Sequence, residues 1–200
     1  MNNVRNYIKE HKEELLTTLN ETLYNEVYTK YCQGSLSKWE MDSISFYDHP
    51  HELAIIDERR EGFSNFFSLP EEPEIDRIFP TKDGKMVPLY KIVRIIGTVL
   101  DKDKNKKIIS LLTTHGVVTV KIFGDGFVKY DRQISEKNEI TGKKHIIEKS
   151  MLARGNKIIV CGIRRGEAFI AKKYRNTPYH LIEQITTINA DGSFIRTTRG

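Results

Sequence analysis

Between Leu89 and Tyr174 the chain falls into five short segments rich in Val and Ile, and their spacing constrains the fold more than any other feature. YKIVRIIGTVL, KKIISLLTT and GVVTVKIF follow one another across DKDKNK and His115-Gly116. A connection of about thirty residues, containing Gly124, Gly126 and Gly142, separates them from NKIIVCGIRR and EAFIAKKY, which meet at Arg165-Gly166. Runs of this length and β-branched content, bounded by turn residues, read as strands. Three strands in meander, a long crossover and a hairpin follow the order of an OB-fold. This is a five-stranded Greek-key barrel whose second and third strands, with loops 1-2 and 4-5, form the binding face. Gly97 suits a strand that bends between two sheets. The crossover predicts a short helix around Phe127 to Ile134 and a small hairpin turning at Thr141-Gly142. HLIEQITTI and SFIRTT flank Asp191-Gly192 and predict a further hairpin.

The first half reads differently. Val4, Tyr7, Ile8, Leu15, Leu19, Leu23 and Val27 recur at helical spacing up to a stop at Gly34, predicting one long amphipathic helix. Ser37 and Glu40 have capping-box separation, predicting a second helix that carries Trp39, Met41, Ile44 and Tyr47 as far as Pro50, with Trp39 in a core. Pro70, Pro73, Pro80 and Pro88 punctuate an acidic stretch that reads as a linker. The expected class is α+β: a helical segment over 1–69, the linker over 70–88, the OB-fold over 89–176 and a C-terminal β-hairpin over 177–200. Residues from about 89 onward are expected to fold without the helical segment.

Charge divides the chain at nearly the same place. Residues 1–88 hold 10 Lys+Arg against 17 Asp+Glu, a balance of −7, while residues 89–200 hold 22 against 10, a balance of +12. Basic strands interleaved with aromatics suit single-stranded nucleic acid, because phosphate neutralisation releases counterions and aromatic faces stack on bases. No apolar run reaches the roughly 18 residues of a membrane span and the polar start is unlike a signal peptide, so no membrane association and a cytoplasmic location are expected. Cys32 and Cys161 form no C-x-x-C pattern and suggest neither a disulfide framework nor a zinc site.

Chemistry-bearing motifs are few. Asp101, Asp103 and Asn105 match the start of a calcium loop, but Lys106 replaces the required Gly and Leu112 the bidentate Glu. Interleaved lysines equally disfavour a catalytic metal there, so a charged turn is expected. His49 and His51 around Pro50 lack a second ligand cluster and read as a helix-ending turn. No P-loop, nucleophile elbow or HExxH motif occurs, so no active site, cofactor or metal is expected. The remaining candidates are basic and aromatic. Alternation along the third strand sets Val118, Val120 and Ile122 against Thr119, Lys121 and Phe123. Lys104 and Lys106 lie on the first loop, Arg164 and Arg165 on the hairpin tip, and Phe169, Lys172, Lys173 and Tyr174 on the last strand. Together they form the expected DNA-binding set.

Several longer strings resemble one family. KWEMDSISFYDHPHEL (Lys38 to Leu53) is similar to the helix and His-Pro turn before the OB-fold in the alpha subunit of bacterial DNA polymerase III, in the branch shared with some phage polymerases. RIIGTVLDKDKNK, LLTTHGVVTVK, YDRQIS, RGNKIIVCGIRRG and FIAKKY resemble that family's OB domain. The resemblance spans nearly the whole chain but only the C-terminal part of a far longer polymerase, whose palm with its catalytic aspartates, fingers and PHP domain would lie upstream. It implies a non-catalytic segment that handles single-stranded template, with Lys121, Arg164, Arg165, Lys172 and Lys173 on the DNA backbone. A sliding-clamp motif is not matched, since Gln33-Gly34-Ser35-Leu36-Ser37 lacks the aromatic residue. The rival expectation is a barrel that docks another replication protein.

Overall fold

A computed structural model describes residues 2–31, 36–44, 46–81, 83–137 and 144–199. The helix expected over the first thirty residues is two, α1 (Asn2–Glu10) and α2 (Lys12–Tyr31), meeting at His11. There the imidazole stacks on Tyr7 at 4.2 Å, and Nδ1 contacts the same Tyr7 carbonyl that accepts the His11 N–H. A side chain that shares a ladder acceptor in this way bends a helix. Val4, Ile8, Leu15, Leu19, Leu23 and Val27 are all exposed. Among the described residues, nothing covers this apolar stripe.

The short helix α3 (Leu36–Ser43) contains Ser37 rather than being capped by it, so the capping box is corrected. The Ser37 hydroxyl donates to the Pro50 carbonyl at 2.9 Å, and the Glu40 carboxylate accepts the backbone N–H groups of Asp48 and His49 at 3.1 and 3.0 Å. These bonds fold the chain back through the His-Pro-His turn. Ile44 and Tyr47 consequently lie beyond the helix, and Trp39 is half-buried. His51 then caps a 3-10 turn at Glu52–Ile55 through Nδ1, which accepts the Leu53 N–H at 3.0 Å.

The proline-rich stretch is a two-stranded antiparallel ribbon, β1 (Ile75–Pro80) and β2 (Met86–Tyr90). A lone ribbon has only edges, so Pro80 and Pro88 leave no interior ladder bond unmade.

The barrel comprises β3 (Val93–Asp103), β4 (Ile108–Thr113), β5 (Gly116–Ile122), β8 (Lys157–Arg165) and β9 (Ala168–Ala171). The crossover between β5 and β8 contains α4 (Gly126–Asp131) and the hairpin β6 (Ile134–Lys137) and β7 (Lys144–Glu148). Its expected turn at Thr141-Gly142 lies outside the described residues. Antiparallel pairings join β8, β3, β4 and β5, β9 pairs with β8, and the parallel pairing of β5 with β9 closes the barrel. The fold is therefore α+β with an OB-like five-stranded barrel, as the strand spacing predicts.

Alternation drives the closure. Ile109, Leu111, Val118, Val120 and Ile122 point inward at 1% exposure or less, and Phe127 and Tyr130 of α4 join the same core. Each such aliphatic burial is worth roughly 1.5–3 kcal/mol. A Cβ at Gly97 would lie 2.6 Å from Leu111 Cγ and 2.7 Å from the Leu112 carbonyl, so the bend of β3 admits only glycine.

The last hairpin, β10 (Ile182–Ile188) and β11 (Phe194–Thr198), adds to the barrel sheet through β8. It helps to form a second core, in which Leu53, Ile56 and Phe63 pack against Ile96, Ile159 and Ile185. Phe66 enters the barrel core itself, with Leu69 packed against it. Residues 53–69 thus belong energetically to the barrel, across the boundary expected from the prolines. No described helix is long and apolar enough to cross a membrane.

Candidate nucleic-acid interface

The outer face of β5 and β9 brings several expected residues together. Lys121 is exposed between its register partners, Ile108 of β4 and Ile170 of β9, while Val120 and Ile122 on either side are buried. One step beyond the last β5–β9 pair, Ile122 with Ala171, come Phe123 and Lys172. Phe123 is 64% exposed, which leaves its ring open to a stacking partner.

Arg165 and Lys172 converge on a residue absent from the expected set. The Arg165 guanidinium carbon and Lys172 Nζ each lie 5.4 Å from the centroid of the Tyr90 ring, and Lys172 Nζ is 5.2 Å from that of Tyr174. Arg165 also donates to the Tyr90 hydroxyl at 3.3 Å. The Tyr174 hydroxyl accepts the Tyr90 backbone N–H at 2.9 Å, which ties the ribbon to the strand end. Lys173, the next residue in the chain, is exposed. In the sequence Tyr90 opens the segment read as the first barrel strand, and its only signal there is being an aromatic at that segment's start.

Two of the expected DNA-facing residues are corrected. Phe169 has no exposed surface and packs edge-on against Phe66, ring centroids 6.5 Å apart, so it cannot stack on a base. Arg164, its cross-strand partner, lies over the other side of the same cluster, 4.6 Å from the Phe66 centroid. Its guanidinium donates to the carbonyls of Leu69 at 2.7 Å, Gly166 at 2.9 Å and Phe66 at 3.3 Å, and it sits 3.7 Å from Glu71. Only 11% of the side chain is exposed. Arg164 pins the segment before the ribbon to the barrel instead of meeting a ligand.

The first loop is also partly neutralised. Asp103 accepts the N–H groups of Asn105 and Lys106 at 2.9 Å, which makes this the charged turn expected there. Lys102 and Lys104 share Asp131, and Lys106 lies 3.9 Å from Asp103. Burial pushes the Asp131 carboxyl up, but hydrogen bonds from Lys102 and Ser150 and the two lysine charges outweigh it and hold the group below its ordinary value. By contrast, among the described residues no carboxylate lies within ion-pair distance of Lys121, Arg165, Lys172 or Lys173.

Away from this face, Glu40, Asp48 and His49 are close enough to share a cation, yet Glu40 is occupied by its own turn: two backbone N–H groups and His49 Nδ1. His51 serves elsewhere, as the cap of the 3-10 turn. A groove of about 1060 Å³ runs between that turn and β10; its lining mixes Asp42 and Glu52 with Lys149, Arg154 and Lys157, and Lys157 is paired with Glu52. Mixed signs give it no net attraction for a polyanion. Cys161 is buried, and burial raises its thiol to about 11, well away from reactivity.

The whole chain aligns at 42% identity with the Probable DNA polymerase YorL of Bacillus subtilis (strain 168). It aligns equally with a DNA-directed DNA polymerase of Bacillus phage SPbeta. The chain is related throughout its length to a segment of a DNA polymerase. That segment amounts to 15% of the length of either relative. No family model and no solved structure matches the chain.

Proposed function

We propose that this chain is the OB-fold segment of a cytoplasmic replicative polymerase of the bacterial DNA polymerase III alpha type, non-catalytic by itself, and that it binds single-stranded template DNA. The reading is supported most by the uncompensated charge of Lys121, Arg165 and Lys172 along β5, β9 and the end of β8, beside the exposed Phe123, with the exposed Lys173 next in the chain. A phosphate backbone laid across that face neutralises the cations and releases counterions, while bases stack on Phe123 with little regard to identity. Duplex binds less well because its bases are already stacked and offer no free face.

Fluorescence anisotropy of a labelled oligonucleotide across a salt series tests this. Binding weakens steeply with salt, and each cation removed from the DNA backbone by substitution flattens the logarithmic slope by roughly 0.7. Substituting Lys121, Arg165, Lys172 and Lys173 together by Ala takes away all four cations, whereas Lys9 and Lys12 in α1 and α2 can be replaced without changing the slope. If the barrel variant keeps the original slope, the face does not bind DNA, and docking of an acidic protein surface becomes the better reading.

A further inference from the structure

We propose that Tyr90 is the positioning residue of this face: its ring holds Arg165 and Lys172 in the arrangement that receives the DNA backbone. The proposal rests on the reading of the face given above. Where a carboxylate fixes a cation, as Asp131 fixes Lys102 and Glu183 fixes Arg196 at 3.0 Å, the pairing cancels the charge. An aromatic ring restrains a cation through its quadrupole and leaves the full charge available to a phosphate.

The ring is itself well anchored. Tyr90 comes from the ribbon, whereas Arg165 ends β8 and Lys172 follows β9, so a third element locks two neighbouring ones. Its backbone N–H is bound by the Tyr174 hydroxyl, whose own residue donates its N–H to Thr177 Oγ1 at 2.9 Å. Lys91 N–H binds the Glu74 carbonyl and Gly166 N–H binds the Glu71 carbonyl, both at 2.9 Å, which fixes the ribbon base and the hairpin tip in one frame. Long cationic side chains lose rotamer freedom when they bind, and a ring that orders them beforehand removes part of that loss. Tyr90 thus acts through Arg165 and Lys172.

The test compares the full chain with Tyr90→Leu, Tyr90→Phe, the double variant Arg165→Ala/Lys172→Ala, and that double variant carrying Tyr90→Leu. Binding of labelled oligothymidylate is measured across salt. Tyr90→Leu weakens binding roughly fivefold or more at unchanged salt slope, because the same phosphates are engaged. Tyr90→Phe keeps the ring and stays close to the parent. In the double-variant background, Tyr90→Leu has no further effect. The Arg165 δ-methylene protons, shifted upfield by the ring in the parent and in Tyr90→Phe, return to ordinary positions in Tyr90→Leu, while the Lys172 ε-methylenes, which also lie near Tyr174, lose part of their shift. Parent-like affinity for Tyr90→Leu overturns the proposal, as do unshifted methylenes in the parent. An equal loss in both backgrounds also overturns it, since Tyr90 would then touch DNA itself or only support the fold. An unchanged slope in the double variant overturns the binding face, and Tyr90's role with it.

Discussion

Arg164 and Arg165 are adjacent in β8 and point to opposite faces of that strand. Arg164 turns its guanidinium onto Phe66 and three backbone carbonyls, while Arg165 remains exposed against the ring of Tyr90. One is part of the fold's fastening and the other part of its charged surface.

The first prediction separates these roles. Arg164→Ala strips donors from three carbonyls and costs about 2 kcal/mol or more of stability, given the strength of hydrogen bonds from charged groups. Its effect appears as a lower thermal midpoint with the salt dependence of DNA binding unchanged. Arg165→Ala does the reverse, keeping the midpoint and flattening the salt slope. Melting by circular dichroism and an anisotropy salt series on both variants decide it.

The barrel is legible because period-2 alternation specifies both a strand and its buried face: in GVVTVKIF the inward set Val118, Val120 and Ile122 can be named from the sequence. Faces become illegible where alternation stops. Ala168, Phe169, Ile170 and Ala171 form an unbroken apolar run with no parity to assign, so Phe169 looks as available as Phe123. The Arg164–Arg165 pair cannot be divided either, since its division depends on Phe66 and Leu69 arriving from about a hundred residues earlier. Prolines in the ribbon argue correctly against a central strand and wrongly for a linker, because a free-standing ribbon tolerates them.

A second prediction concerns the two phenylalanines. Phe169→Ala empties a site in the centre of the barrel and costs roughly 3–5 kcal/mol of stability. Phe123→Ala leaves stability nearly unchanged and removes a stacking interaction worth roughly 1–3 kcal/mol of single-strand affinity. Midpoints and oligonucleotide affinities of the pair check both halves.

A third concerns pH. Burial lowers the His51 imidazole to about 4, which the Leu112 carbonyl and Glu58 oppose only in part. The unfolded chain, with this group near the ordinary 6.5, therefore binds the proton first as pH falls. Stability contributed by neutral His51 is complete above that value and is lost progressively toward about 4. His51→Asn retains a side-chain acceptor for the Leu53 N–H and removes the titration. Its thermal midpoint should vary less between these pH values than that of the parent.

The last prediction is about where the folding unit begins. The prolines suggest that a chain starting near Val87 should suffice, because the five strands carry their own alternating core. The packing argues for an earlier start. Leu53, Ile56 and Phe63 cover Ile96, Ile159 and Ile185, and Phe66 fills the barrel beside Phe169. Removing these four side chains forfeits roughly 1.5–3 kcal/mol for each, a total comparable with the whole stability of about 5–15 kcal/mol of a typical domain. It also strips Arg164 of its acceptors at Phe66 and Leu69, leaving a mostly buried guanidinium underpaired. A chain starting at Leu36 loses α1 and α2, whose apolar residues Val4, Ile8, Leu15, Leu19, Leu23 and Val27 are exposed already, and keeps the buried Met41 and the contact of the Tyr47 hydroxyl with Thr98. It should melt cooperatively within a few degrees of the full chain, whereas one starting at Val87 should show no cooperative transition and should bind hydrophobic dye. A cooperative melt of the Val87 chain at the parental midpoint would mean that residues 53–69 rest on the barrel without stabilising it.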